Sequence, residues 1–412
     1  MRKIIGSIDI GTDTIKLVVG EFYNNKINIL LALSVPSAGL TNHQVTNIEE
    51  FKTVIKKIIT DASEQLGFKV RKFIVNIPTS KNEFTVSHVE NTINSDDNII
   101  NGNDILRVMQ TAAYNKIADN EELVSVVPIS FSADEEEIDK PFGKKAKKLG
   151  LKAILVTAPK KEIHAFVTIL EECGVDVIDI TTSGLVDYYN FKNNYHDEKT
   201  GVIINLGHYR TTLSVFSRGR YINNEILETG GAFVDRDISM IYNLDLKSAK
   251  DLKEKLALGS VRKAIPKETA RMVNKAKEEV VINQYELSEV VGSRIEDMLK
   301  LSKKSINLLT KKEISYIIIT GGLTELKDFP LALTSVFGNK AKIGTVNTIG
   351  IRSNKYSVAL GMIQYFNDKL SLRQREYSTV NEAEADVMCS VDAKMLSNDS
   401  ILGKVFGYFF DN

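Results

Sequence analysis

The stretch "IDIGTDTIKLVVGEF" (8–22) reads as a strand, a Gly-Thr turn and a second strand. Apolar residues alternate on both sides of Gly11 and Thr12, which is the pattern of a half-buried hairpin. Asn24 and Asn25 then make a second turn before "KINILLALSV" (26–35). Two adjacent hairpins imply an antiparallel start to a sheet. Phe51, Val54, Ile58 and Ile59 have helical spacing within 47–66, and "KFIVNIP" (72–78) reads as a buried strand. The chain therefore opens βββαβ.

A similar opening returns later. "GVIINLGHYRTTLSVFSRGR" (201–220) is again strand, turn and strand, with Asn205, Gly207 and Thr211 in the roles of Asp9, Gly11 and Thr12. A weak internal repeat of this kind suggests a duplicated core domain. Between the copies, 83–162 has another character. It holds a helix with Ile105, Val108, Met109 and Ala112 at helical spacing, then the strands "LVSVVPISFSA" (123–133) and "LKAILVTAP" (151–159). The acidic run Asp134–Glu137 and the basic run Lys144–Lys148 read as solvated loop faces. This stretch is expected to be a small α+β subdomain inserted into the first domain. A helix over 160–173 and a strand over 175–181 lead back to that domain. The expected division is 1–82 for the first part of domain 1, 83–162 for the insert, 163–198 for the return and 199–370 for domain 2. Within domain 2, 245–310 reads as mostly helical, giving a helical subdomain at about 240–310. The last helix of the folded body falls at 356–370. A polar stretch without Gly or Pro then predicts a flexible linker over 371–398.

Composition narrows the classes. The 412 residues suggest two to four globular units. Lys+Arg and Asp+Glu both total 53, so the net charge is zero, which argues against a nucleic-acid footprint. The two cysteines, Cys173 and Cys389, lie far apart and form no CxxC, so neither a zinc site nor a disulfide framework is indicated. A reducing cytoplasm fits. Asp9 interrupts the N-terminal apolar run too early for a secretory leader. No stretch approaches the roughly 18 apolar residues of a membrane span, so any membrane contact is expected to be from the surface.

Three turns carry the chemistry. A hairpin turn rich in Gly and Thr lets backbone N–H groups approach a phosphate, and Asp9 beside it can orient a hydrated Mg²⁺. A second such turn at 205–211 would allow a nucleotide to be clamped between two domains. "YIIITGGLTEL" (316–326) adds Gly321, Gly322 and Thr324, where backbone can approach an adenosine. "ETGGAFVDRDIS" (228–239) adds Gly230 and Gly231 before a helix. The ordered set is far more specific than any one member, since isolated turns of this kind usually only close hairpins.

This set resembles the actin-like ATPase superfamily, and within it the chain looks like the FtsA family. "IDIGTDTIKLVVGE" resembles the Gram-positive form of the first phosphate motif, including Lys16. "VVPISFSADEEEIDKPFGKKAKKLGLKAILVTAP" (126–159) resembles the family's inserted subdomain, and "LDLKSAKDLKEKLALGS" (244–260) its ribose-contacting stretch, where Lys253 matches. The resemblance implies an α/β actin-like fold of two duplicated domains with an FtsA-type insert. It also implies ATP with Mg²⁺, self-association into filaments, and binding of the FtsZ C-terminal peptide at the cytoplasmic face of the division site. Nucleotide-contacting residues would be Asp9, Gly11, Thr12, Asp13, Lys16, Asn205, Gly207, Thr211, Gly230, Gly231, Lys253, Gly321, Gly322 and Thr324, with Asp9 reaching the metal through water.

The chain departs from the pattern at several places. Asn205 stands where the superfamily has Asp. His208 and Tyr209 replace two glycines, Lys250 replaces a usual Glu, and Arg210 is a possible compensating phosphate contact. At most weak hydrolysis is expected. The FtsZ peptide is expected near the helix over 285–304, where Leu287, Val291, Ile295 and Met298 form an apolar stripe rimmed by Arg294, Lys300, Lys303 and Lys304. Two other classes fit the superfamily. One is a small-molecule kinase, which would need a substrate pocket and a general base. The other is a pilus or secretion adaptor, which would need no tail helix.

The tail is read from its geometry. At 100° per residue, Ile401, Leu402, Val405, Phe406 and Phe409 fall within one arc of about 140°, with Tyr408 and Phe410 flanking it. That is an amphipathic membrane-targeting pattern over 399–412. Lys404 is balanced by Asp399 and Asp411. Burying five large apolar side chains gains roughly 7–15 kcal/mol gross. Ordering about ten residues costs on the order of 10 kcal/mol. One tail should bind weakly, and polymerisation should strengthen it.

Overall fold

The computed structural model describes residues 3–23, 26–95, 97–114, 116–346 and 348–380. The amphipathic tail over 399–412, with Ile401, Leu402, Val405, Phe406, Phe409 and Phe410, lies outside the described residues. So does the linker beyond 380. The chain divides into two units. Unit 1 takes in residues up to Asn190, then 347–352 and the chain from 358. Unit 2 takes in Phe191–Val346 and Ser353–Ser357.

Unit 1 is built on β1 (Lys3–Ile10), β2 (Thr14–Tyr23) and β3 (Lys26–Pro36), an antiparallel series. A two-residue ladder follows, β4 (Leu40–Thr41) and β5 (Gln44–Val45). Helix α1 (Ile48–Leu66) starts where the Asn47 side chain accepts from the Glu50 N–H, and stops at Gly67, whose φ is 77°. Its Phe51, Ile55, Ile58 and Ala62 face the sheet at i, i+4, i+7 and i+11. Strand β6 (Lys72–Asn76) runs parallel to β1.

The insert comes next: β7 (Glu83–Thr92), α2 (Gly102–Ala113), β8 (Glu121–Ala133), β9 (Glu136–Ile138) and β10 (Lys148–Pro159). Its sheet has the order β7-β10-β8-β9. Ile105, Val108 and Ala112 of α2 cover it, and a capping box between Asn101 and Asp104 fixes where that helix begins. Helix α3 (Lys160–Glu172) leads to β11 (Asp176–Thr181), parallel to β6, and α4 (Ser183–Phe191) follows. The sheet order of unit 1 is β11-β6-β1-β2-β3.

Unit 2 repeats that plan. After α5 (Asn194–Glu198) come β12 (Thr200–Leu206), β13 (Thr211–Ser217) and β14 (Arg220–Leu227) as an antiparallel series. Helices α6 (Gly231–Ile241) and α7 (Leu246–Leu256) follow. Then come a hairpin of β15 (Thr269–Val273) and β16 (Glu279–Asn283), and the long α8 (Gln284–Leu309). Strand β17 (Tyr316–Thr320) lies parallel to β12. After α9 (Phe329–Phe337), β18 (Ala341–Ile343) lies parallel to β17. The order β14-β13-β12-β17-β18 is that of unit 1. Three antiparallel strands are followed by two parallel ones, so the repeat suspected between 8–22 and 201–220 extends to whole sheets.

One reading needs an addition and another a correction. The stretch 245–310 is mostly helical, as expected, but the β15–β16 hairpin interrupts it. Its turn has no Gly or Pro and is instead closed by Asn274 bonding Glu278, with Lys277 at a φ of 64°. At the chain's far end, α10 (Ser357–Leu372) is followed by residues that dock, although a linker was expected from 371. Strands β1 and β6 pair only between Ser7–Asp9 and Ile74–Asn76. The earlier groups of β1 bond elsewhere: Thr379 N–H donates to Ile4 O (2.8 Å), and Gly6 N–H donates to Thr379 Oγ1 (3.1 Å). Val380 closes the core there.

Candidate functional site

The first turn is set by register. Asp9 lies opposite Lys16 across the hairpin and level with Asn76 on β6. Lys16 Nζ is 3.2 Å from Asp9 Oδ2, and Asn76 Nδ2 donates to Asp9 Oδ1 at 2.9 Å. Both side chains of the ion pair are mostly buried, so the pair is held in one geometry and screened little by salt. Asn76 was not singled out in the sequence, because a polar residue ending a buried strand has no motif. At Gly11 a Cβ would stand 2.6 Å from Thr14 O, so only glycine closes this turn. Thr12 and Asp13 complete it, and the Asp13 carbonyl accepts from Ser37 N–H.

The second turn occupies the equivalent place in unit 2. Asn205 lies opposite Thr212 and level with Thr320. Gly207 N–H closes on Arg210 O. The first N–H groups of α6 do not stand open. Gly231 N–H donates to Gly207 O (3.0 Å) and Ala232 N–H to His208 O (2.7 Å). Gly231 and Ala232 therefore brace the turn, and Gly230 packs so close that a Cβ there would stand 2.4 Å from His208 O. The buried Thr211 hydroxyl donates to Thr229 O (2.8 Å), which also serves the turn's frame. Arg210 is paired with Glu228 at 2.7 Å.

Lys253 is buried against Asp235 with Nζ–Oδ1 at 2.7 Å, and His208 Nδ1 is 4.0 Å from the same carboxylate. Asp235 was missed in the sequence. It sits on the inward face of α6, four residues after Gly231, where its partner on α7 could not be read.

The third turn depends on Gly321. Its φ is 100°, and a Cβ there would lie 2.4 Å from Leu206 O. Gly322 faces open space, so the pair is not equivalent. Thr324 Oγ1 donates to Gly321 O (2.7 Å), and Asn354 Nδ2 donates to Thr324 Oγ1 (3.1 Å), fixing the turn.

The expected peptide groove is corrected. Leu287, Val291, Ile295 and Met298 are core residues, at most 2% exposed. Of the rim, Arg294 binds Asp237 through both Nε and Nη2, a contact that holds its guanidinium protonated above the usual range. Lys300 pairs with Glu296, and Lys303 donates to Val336 O. Lys304 has no ion-pair partner among the described residues. It lies between Leu301 and Leu308 at helical spacing, which are 43% and 78% exposed.

As to metal, no group of three or more His, Cys, Asp or Glu among the described residues could hold an ion directly. Asp9 fits a Mg²⁺ that keeps its waters and arrives with a nucleotide, because a single fixed carboxylate suffices to orient it. No helix among the described residues is long and apolar enough to cross a membrane.

A family model described as "Cell division protein FtsA" matches residues 202–361, and one described as "SHS2 domain inserted in FTSA" matches residues 81–157. Together they span more than half of the chain. The cell division protein FtsA of Bacillus subtilis (strain 168) is 25% identical over 396 residues, which is 94% of this chain and 90% of that protein. Among solved structures, one titled as a PilM-PilN type IV pilus biogenesis complex is similar with a TM-score of 0.60 at 13% identity. It covers 88% of this chain and 98% of its own. MreB5 of Spiroplasma citri bound to ADP has a TM-score of 0.54 at 14% identity, covering 89% and 97%. At those identities the likeness is one of fold, the actin-like ATPase fold.

Proposed function

Because this chain belongs to the FtsA family, we propose that it is a cell division protein that binds ATP, self-associates into actin-like polymers and ties FtsZ filaments to the cytoplasmic face of the membrane at the division site. The observation that carries the nucleotide part is the buried Asp9–Lys16 pair at a glycine turn, with the same turn repeated at Asn205–Thr211. Lys16 would hold phosphate from one turn and Asp9 would orient the hydrated Mg²⁺. Gly207 and Asn205 would serve the other turn, and Gly321 the adenosine. The bound Mg²⁺ supplies charge neutralisation of the phosphates. Asn205 brings a hydrogen bond without a charge, so hydrolysis should be slow.

The tethering part follows from weak single contacts. Each tail over 399–412 binds the membrane marginally, and a polymer presents many tails at once. The FtsZ peptide would dock on the exposed strip of α8 made by Leu301, Lys304 and Leu308, where apolar anchors flank a cation with no ion-pair partner among the described residues. The FtsA-type insert favours this reading over a pilus adaptor or a kinase.

Titration with a fluorescent ATP analogue tests the nucleotide part. Saturable binding is expected, weakened by about tenfold or more in Lys16→Ala, for loss of one buried charged contact to phosphate. Equal binding by the variant would remove Lys16 from the site.

A further inference from the structure

We propose that the end of the first sheet opposite the phosphate turn is a docking surface for anionic lipid headgroups. This inference rests on the membrane reading above and names which face of unit 1 meets the bilayer.

Strands β1, β6 and β11 are parallel, so their starts share one end of the sheet, while Asp9 and the turn lie at the other. Lys69, Arg71 and Lys72 gather at that end. Val70 and Phe73 point inward, at 1% and 0% exposure, which turns the three cations outward. Among the described residues none of the three has an ion-pair partner. They line a pocket of about 340 Å³ with Asp176 and the segment 378–380. Among the described lining residues Asp176 is the one carboxylate, so that lining keeps an excess of positive charge.

The chain leaves the described structure at Val380, inside this same pocket. The amphipathic stretch 399–412 is thus tethered to this end of the sheet. That stretch has one lysine, Lys404, against Asp399 and Asp411. Interfacial helices usually draw on a cationic face to select anionic lipid. Here the tail lacks one, and the body supplies it at the point of attachment. Juxtamembrane cations of this kind raise affinity for an anionic surface, and three together amount to roughly a hundredfold at low salt.

The test compares three proteins on vesicles of phosphatidylcholine alone and of phosphatidylcholine mixed with phosphatidylglycerol. They are the full chain, the variant Lys69→Gln/Arg71→Gln/Lys72→Gln, and the chain lacking 399–412. All three side chains are exposed, so the variant should melt as the full chain does. The full chain should prefer the anionic vesicles and lose that preference at high salt. The triple variant should bind both compositions at the level the full chain shows on phosphatidylcholine. A variant that keeps the anionic preference overturns the proposal, as does a full chain with no preference. Gain of vesicle binding in the variant would assign the patch to the acidic residues Glu382, Glu384 and Asp386 instead, and also overturns it. If the tail-deleted chain still binds anionic vesicles through the patch, the tail reading fails and the patch stands.

Discussion

Asp9 and Asn205 hold the same position in two copies of one turn, and they differ by a single charge. Asp9 is locked by Lys16 and Asn76, so its carboxylate is placed before any ligand arrives. At the second turn the carboxylate that would help orient an attacking water is missing. Asn205→Asp should therefore raise the rate of phosphate release from ATP by about tenfold, the worth of one well-placed charge-assisted contact in a transition state. Colorimetric phosphate release reads this directly, and an unchanged rate would remove the missing charge from the account of hydrolysis. The residues that frame the turns were only partly legible. Asp9, Gly11 and Gly321 announce themselves through composition and neighbours. Asn76 and Asp235 do not, because their role comes from a partner on another strand or helix.

At the scale of elements, the third turn depends on its first glycine. Gly321→Ala places a methyl against Leu206 O and a non-glycine residue at a φ of 100°. It should cost more than about 2 kcal/mol, read as a fall in the urea midpoint. Gly322→Ala meets open space and should be nearly neutral, so equal effects at the two positions would refute the assignment.

Helix α7 carries Lys253 and is capped by Asp245, whose carboxylate accepts from Ser248 N–H (2.9 Å) and Oγ (2.7 Å). Those bonds, the backbone one foremost, hold its pKa below the ordinary 3.8. The unfolded chain then binds the proton more readily, so the cap's contribution is present above 3.8 and is lost as pH falls through the lower folded value. Wild type should melt above Asp245→Ala at neutral pH, with the gap closing below the ordinary carboxyl value. A gap that stays constant with pH would contradict this.

Element types were legible where period and punctuation agree, as in β1, β2, α1 and α3. The β15–β16 hairpin was hidden because asparagine and lysine make its turn. The stripe of α8 was legible as a helix face, but a sequence does not say that the face meets the core and not a peptide.

At the scale of the whole molecule, the duplicated sheet order gives the two units one plan, and the insert distinguishes this chain within the actin-like fold. The repeat could be read because the turns recur with their flanking strands. The docking of Ser378–Val380 could not, since its partners are backbone groups of β1 that no side-chain pattern reveals. The central claim is that this protein joins FtsZ to a membrane. The measurement that tests it most directly is vesicle co-sedimentation with a labelled FtsZ C-terminal peptide, with ATP present, for the full chain and for the chain ending before 399. The account predicts that the full chain carries the peptide into the pellet and that the shortened chain, still folded, leaves both in solution. Peptide that stays in solution while the full chain pellets, or a shortened chain that pellets equally well, would contradict it.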